Sequence, residues 1–138
     1  MPSTTTRRAR PAHPAHPGTL GAVALGGATG AVLRWALEVA LPAGEAWPWA
    51  TLLANVLGSA ALAWLVVHDD RHPRWLRPGV GTGLLGGFTT FSTYAVQVAV
   101  LGRADPLLAV AYLVGTPLLC VAAAAAAGSL TLRAGRAG

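Results

Sequence analysis

The chain has 138 residues, of which 54% are hydrophobic and only 11% charged, with a mean hydropathy of +0.53 and a formal net charge of +5. Soluble domains carry roughly 25% charged residues, so this composition argues against a water-soluble domain, and the length allows one domain at most. The positive balance does not point to nucleic acid, because the arginines flank apolar segments instead of gathering on one basic face.

Residues 1–17, MPSTTTRRARPAHPAHP, hold four Pro and three Arg with no apolar periodicity, and read as a disordered basic cytoplasmic tail. His13 and His16 stand between prolines there, a setting in which histidines are more often solvated than metal-bound. A bilayer core requires about 20 apolar residues per helix. Four windows meet that length, at 18–41, 48–67, 79–101 and 106–132, followed by a short C-terminal tail at 133–138. The separators are LPAGEAWP, the charged HDDRHPRWLRP and the short turn GRADP. Trp47, Trp49 and Trp75 fall near the predicted ends, where aromatic rings favour the headgroup layer. The predicted fold is therefore an all-α membrane protein of four transmembrane helices, residues 18–132. A signal peptide would also account for the first window after Arg7 and Arg8, but it explains none of the other three.

Polar side chains inside such spans are costly without partners and mark function or helix contacts. In the second span Thr51, Asn55 and Ser59 recur every four residues, and in the fourth Tyr112, Thr116 and Cys120 do the same. Each set forms one stripe on a helix. Uncharged hydrogen-bonding stripes suit a wall that replaces an ion's water, or else glue between helices. The third span, GVGTGLLGGFTTFSTYAVQVAV, places Gly86, Gly87, Thr89, Thr90, Ser92 and Thr93 at mid-span. These are poor helix formers. A break at that depth frees carbonyl oxygens able to hold a hard cation. Phe88, Phe91 and Tyr94 are spaced i, i+3, i+6 and would share a face of a continuous helix; the positive edges of aromatic rings can touch an anion. Gly81-x-Gly83-x-x-Gly86 matches the dinucleotide fingerprint, with Asp105 downstream, but lacks the βαβ unit that the motif requires.

The runs GGATGAVLRW (26–35), TLLANVLGS (51–59) and GLLGGFTTFSTY (83–94) resemble the CrcB or Fluc family of fluoride-exporting channels, over about residues 20–125. The resemblance implies an antiparallel dimer of four-helix subunits, with the third helix broken mid-membrane and two fluoride pores. It also implies a structural, non-transported sodium ion at the dimer centre, held by main-chain carbonyls of Gly86 and Thr89. Phe91 and Tyr94 would stand at the paired aromatic positions beside the pores and Asn55 at the pore-lining amide. Thr90, Ser92, Tyr112 and Thr116 would lie along the polar track, and Arg34 near a pore entrance. Hydroxyl, amide and ring-edge groups can replace fluoride's water while letting the ion leave. Against the family pattern, Tyr94 stands where a second Phe is usual and Gln97 where a Glu is frequent.

With four spans, both termini and the middle loop share one side. Arg7, Arg8, Arg10, Arg71, Arg74, Arg77, Arg133 and Arg136 lie there, against Arg34 and Arg103 opposite. This bias predicts a plasma-membrane protein with cytoplasmic termini. It also favours pairing with an oppositely oriented homologous subunit, although the resemblance allows a homodimer. Fluoride and membrane lipid are the expected partners. Two alternatives remain: a non-conducting structural subunit of a two-gene channel, and a small proton-coupled cation exporter, for which Glu38 is the one candidate carboxylate. No nucleophile–base pair points to an enzyme.

Overall fold

The computed structural model describes residues 17–41, 47–68 and 76–137. The N-terminal tail with His13 and His16, and the loop bearing Arg71, Arg74 and Trp75, lie outside them. The described residues are mainly helical and contain no strand. Helix α1 spans Pro17–Ala40 and α2 spans Trp49–Val67. Helix α3 winds as a π-helix over Pro78–Leu85 and as α-helix over Gly86–Phe88, α4 spans Ser92–Ala104, and α5 spans Pro106–Ala137. By length and hydropathy, four stretches can cross a membrane: α1, α2, Pro78–Ala104 and Pro106–Gly135.

The boundaries have local causes. Pro17 and Pro106 open helices at the position where a missing N–H costs nothing. Asp105 is extended between α4 and α5, and its Oδ1 accepts the Leu108 N–H at 3.0 Å, capping the longest helix. The predicted turn GRADP thus shrinks to one residue.

Packing divides the helices into two layers. Helix α3 lies along α1, while α5 lies along α2 and α4. Glycines four apart carry the first contact: a methyl group at Gly26 would run into the Gly79 carbonyl, at Gly30 into that of Leu84, and at Gly87 into that of Gly27. Lipid tails give helices no hydrophobic reason to associate, so close backbone approach through small residues supplies the attraction. The second layer closes around Leu52, Tyr94, Leu101, Ala109 and Tyr112. Most other large apolar side chains, among them Leu25, Trp35, Leu57 and Val121, face outward. A water-soluble bundle would bury them.

Candidate functional site

The site is built where the third span stops being a helix. Gly86, Gly87 and the Thr-Thr-Phe-Ser-Thr run favour other conformations, and the α-helix ends at Phe88. Thr89 is extended (φ −80°, ψ 157°), and Phe91 returns to helical angles just before α4 begins at Ser92. Several polar groups at this interruption find defined partners. Thr89 keeps both its N–H and its hydroxyl on the Leu85 carbonyl, each at 2.9 Å. Thr90 caps α4: its Oγ1 accepts the Thr93 N–H at 3.1 Å. The Asn55 side chain on α2 then closes the backbone of Thr90. Its Oδ1 accepts the Thr90 N–H at 2.8 Å, and its Nδ2 donates to the Thr90 carbonyl at 3.0 Å.

Two of these bonds take N–H groups away from their usual helical acceptors. In a continuous helix the Gly86 carbonyl would accept the Thr90 N–H and the Thr89 carbonyl the Thr93 N–H. Here the first donor goes to Asn55 and the second to Thr90 Oγ1. The Gly86 and Thr89 carbonyls are thus among those that lose their helical donors at the break.

A cavity of about 450 Å³ adjoins the interruption. Of the expected site residues, Asn55, Gly86, Thr89, Thr90, Phe91, Tyr94 and Thr116 line it, together with Ser59 and Cys120 from the two polar stripes. Thr116 is 3% exposed, with its hydroxyl buried. The rings of Phe91 and Tyr94 lie 5.8 Å apart on the same side of the start of α4, whereas Phe88 does not join them, because the chain at Thr89 is extended. Phe91 is 80% exposed, and Tyr94 is 5% exposed.

Ser92 and Tyr112 are placed beside this cavity's residues, outside its wall. Ser92 Oγ meets Thr90 Oγ1 at 3.3 Å. Tyr112 is fully buried, 5.4 Å from the Tyr94 ring, and its hydroxyl donates to Gln97 Oε1 at 3.0 Å. Gln97 Nε2 in turn donates to Thr51 Oγ1 at 2.9 Å. Thus the stripes of α2 and α5 meet twice: through Gln97 at the Thr51–Tyr112 level, and across the cavity at the Asn55–Ser59 and Thr116–Cys120 level. Thr51 and Gln97 also line a smaller cavity of about 210 Å³ with Thr93 and Glu38. Gln97 was legible only as a departure from a pattern, and its central place was not. Trp47, just before α2, packs edge-on against Tyr112 at 5.3 Å.

Arg34 reaches the end of α3. Its Nε lies 3.4 Å from the Gly87 carbonyl, and its Nη1 pairs with Glu38 at 3.1 Å. A cation beside the last carbonyls complements the negative end of a helix. Glu38, the carboxylate on which a proton-coupled exporter would depend, is therefore ion-paired to a neighbour on its own helix.

The family model described as CrcB-like protein, Camphor Resistance (CrcB), matches residues 21–129. The chain belongs to the CrcB family. It is 42% identical over 114 residues to the fluoride-specific ion channel FluC 2 of Streptomyces avermitilis, covering 79% of this chain and 72% of that one. It is 47% identical over 109 residues to FluC 1 of Streptomyces coelicolor, covering 73% and 69%. It is 40% identical over 110 residues to FluC of Idiomarina loihiensis, covering 76% and 85%. The matched region contains all of α2, α3 and α4 and hence the whole interruption. Family membership and the four apolar stretches together make this a multi-pass membrane protein.

Proposed function

We propose that this CrcB-family chain is a subunit of a fluoride-specific channel that lets fluoride leave the cell by passive electrodiffusion. The observation that carries the reading is the cavity at the interrupted third span, whose wall, among the described residues, holds amide, hydroxyl and aromatic side chains and no charged one. Fluoride is small and strongly hydrated, so a path for it must offer donors at close range. Uncharged donors replace the water without holding the ion too tightly to leave. The names of the relatives point to the same ion.

The Gly86 and Thr89 carbonyls would hold a structural sodium ion at the centre of a dimer whose subunits run antiparallel in the plasma membrane, with the interruption at mid-membrane. Bound there, sodium supplies a fixed positive charge and ties two subunits together. Phe91, Tyr94, Thr90, Ser92, Tyr112 and Asn55 would line or support the fluoride path, with Arg34 at its entrance side. The highly exposed Phe91 ring would be covered by the partner. The arginine bias places both termini in the cytoplasm and favours an oppositely oriented homologue as that partner.

The reading is tested by fluoride efflux from liposomes holding the purified chain with and without such a homologue, with chloride as the control ion. Fluoride-selective release is expected, and it should fail when sodium is replaced by a large organic cation. Equal release of chloride would overturn the specificity.

A further inference from the structure

Tyr94 and Pro117 are linked through one carbonyl. Pro117 lies inside α5, where it has no N–H to give to the Leu113 carbonyl four residues earlier. That oxygen is therefore without its helical donor in an apolar setting. The Tyr94 hydroxyl on α4 donates to it at 2.6 Å, a short bond across two helices. Tyr94 and Pro117 both line the cavity at the interruption.

We infer that the Tyr94 hydroxyl is a positioning group: it replaces the donor that Pro117 lacks, fixes the Tyr94 ring against α5, and contributes no hydrogen bond to a permeating ion. Its single proton is already spent on Leu113, so only the ring remains available to the cavity. Tyrosine at this position then does what phenylalanine would do at the cavity wall, with an added anchor. Tyr94 and Pro117 are thus a matched pair, and the need for the hydroxyl is created by the proline.

The inference rests on the fluoride reading only for its transport consequence, and the test separates the two. Four proteins are compared in detergent and in liposomes: the native chain, Tyr94→Phe, Pro117→Ala and the double variant. Pro117→Ala restores a local N–H for Leu113, so the hydroxyl becomes dispensable. Tyr94→Phe alone should lower the melting temperature by roughly 3–6 °C, the shift given by one lost bond in a chain of this size. In the Pro117→Ala background the same change should cost less than half of that. Equal losses in both backgrounds would overturn the pairing. A second readout does not depend on folding. With Tyr112→Phe, Tyr94 is the one tyrosine left, and its Raman doublet should report a strong hydrogen-bond donor that weakens on adding Pro117→Ala. A doublet unchanged by the proline substitution, or one that responds to fluoride, would contradict the inference. Where fluoride release is measurable, Tyr94→Phe should slow it several-fold and the double variant should recover it. Failure of that recovery while the native chain conducts would refute the positioning role and leave the channel reading standing. If no protein conducts, the melting and Raman results still decide the pairing.

Discussion

Asn55 and Thr90 exchange two hydrogen bonds, the amide of one with the peptide N–H and C=O of the other, at 2.8 and 3.0 Å. The pairing resembles one rung of a β-ladder placed between a helix and an interruption. It satisfies both backbone groups of Thr90, and it draws the Thr90 N–H away from the Gly86 carbonyl. The amide therefore shapes the proposed cation site as well as lining the cavity.

Asn55→Ala should accordingly destabilise the chain by about 2 kcal/mol, the order expected for two unpaired backbone groups in an apolar setting. Asn55→Asp keeps the acceptor but loses the donor and should fall between the two. Thermal melting in detergent checks both, and the sodium concentration needed for half-maximal stability should rise in Asn55→Ala. Native-like melting of that variant would mean that Thr90 finds other partners.

Gly58 faces Thr89 so closely that a methyl group there would run into the Thr89 Cγ2. Gly58→Ala should lower stability by roughly 1–3 kcal/mol, as overpacking does. Thr89→Ser removes that methyl while keeping the hydroxyl for Leu85, so the double variant Gly58→Ala/Thr89→Ser should regain most of the loss. Additive losses would show that the interruption does not rest on Gly58.

Gln97 joins Thr51 to Tyr112. Replacing it by Leu leaves two hydroxyls without their partner and should cost about 1–3 kcal/mol. Gln97→Glu preserves an acceptor for Tyr112, and Thr51 can turn to donate, so it should retain the fold and fluoride release. Loss of folding in Gln97→Glu, equal to that in Gln97→Leu, would show that the Thr51 side needs a donor from residue 97.

Arg34 and Glu38 are partly exposed, and an ion pair of that kind contributes at most about 1 kcal/mol. Glu38→Gln should leave fluoride release intact, whereas proton-coupled cation transport would disappear with the carboxylate. Arg34→Ala should affect the end of α3 more than Glu38→Gln does, because it also withdraws the cation from the Gly87 carbonyl. Release that vanishes in Glu38→Gln would favour the exporter.

Much of the fold was legible because each span is long and apolar enough to be read without any neighbour. The helix ends differ from the expected windows by a few residues, most at α5, which continues past 132 to Ala137. The poor helix formers from Gly86 to Thr93 marked the place where the helix stops. What the residues around it bond to was not legible. Asn55 and Thr90 are 35 positions apart, and no periodicity predicts a side chain pairing with a distant backbone. The i, i+3, i+6 aromatic face assumed a helix across the residues that are extended. Gly26 and Gly30 against Gly79, Gly83 and Gly87 carried a readable signal, glycines four apart on two spans, which the search for polar stripes passed over. Tyr94 could be read only as a departure, because its meaning depends on Pro117 in another helix.

The measurement that bears most directly on the fluoride reading is ion release from liposomes containing this chain together with an oppositely oriented CrcB-family homologue, followed with a fluoride electrode. The account predicts rapid fluoride release with chloride retained, dependent on sodium and abolished without protein. Liposomes that retain fluoride with the homologue present and with this chain alone would contradict it.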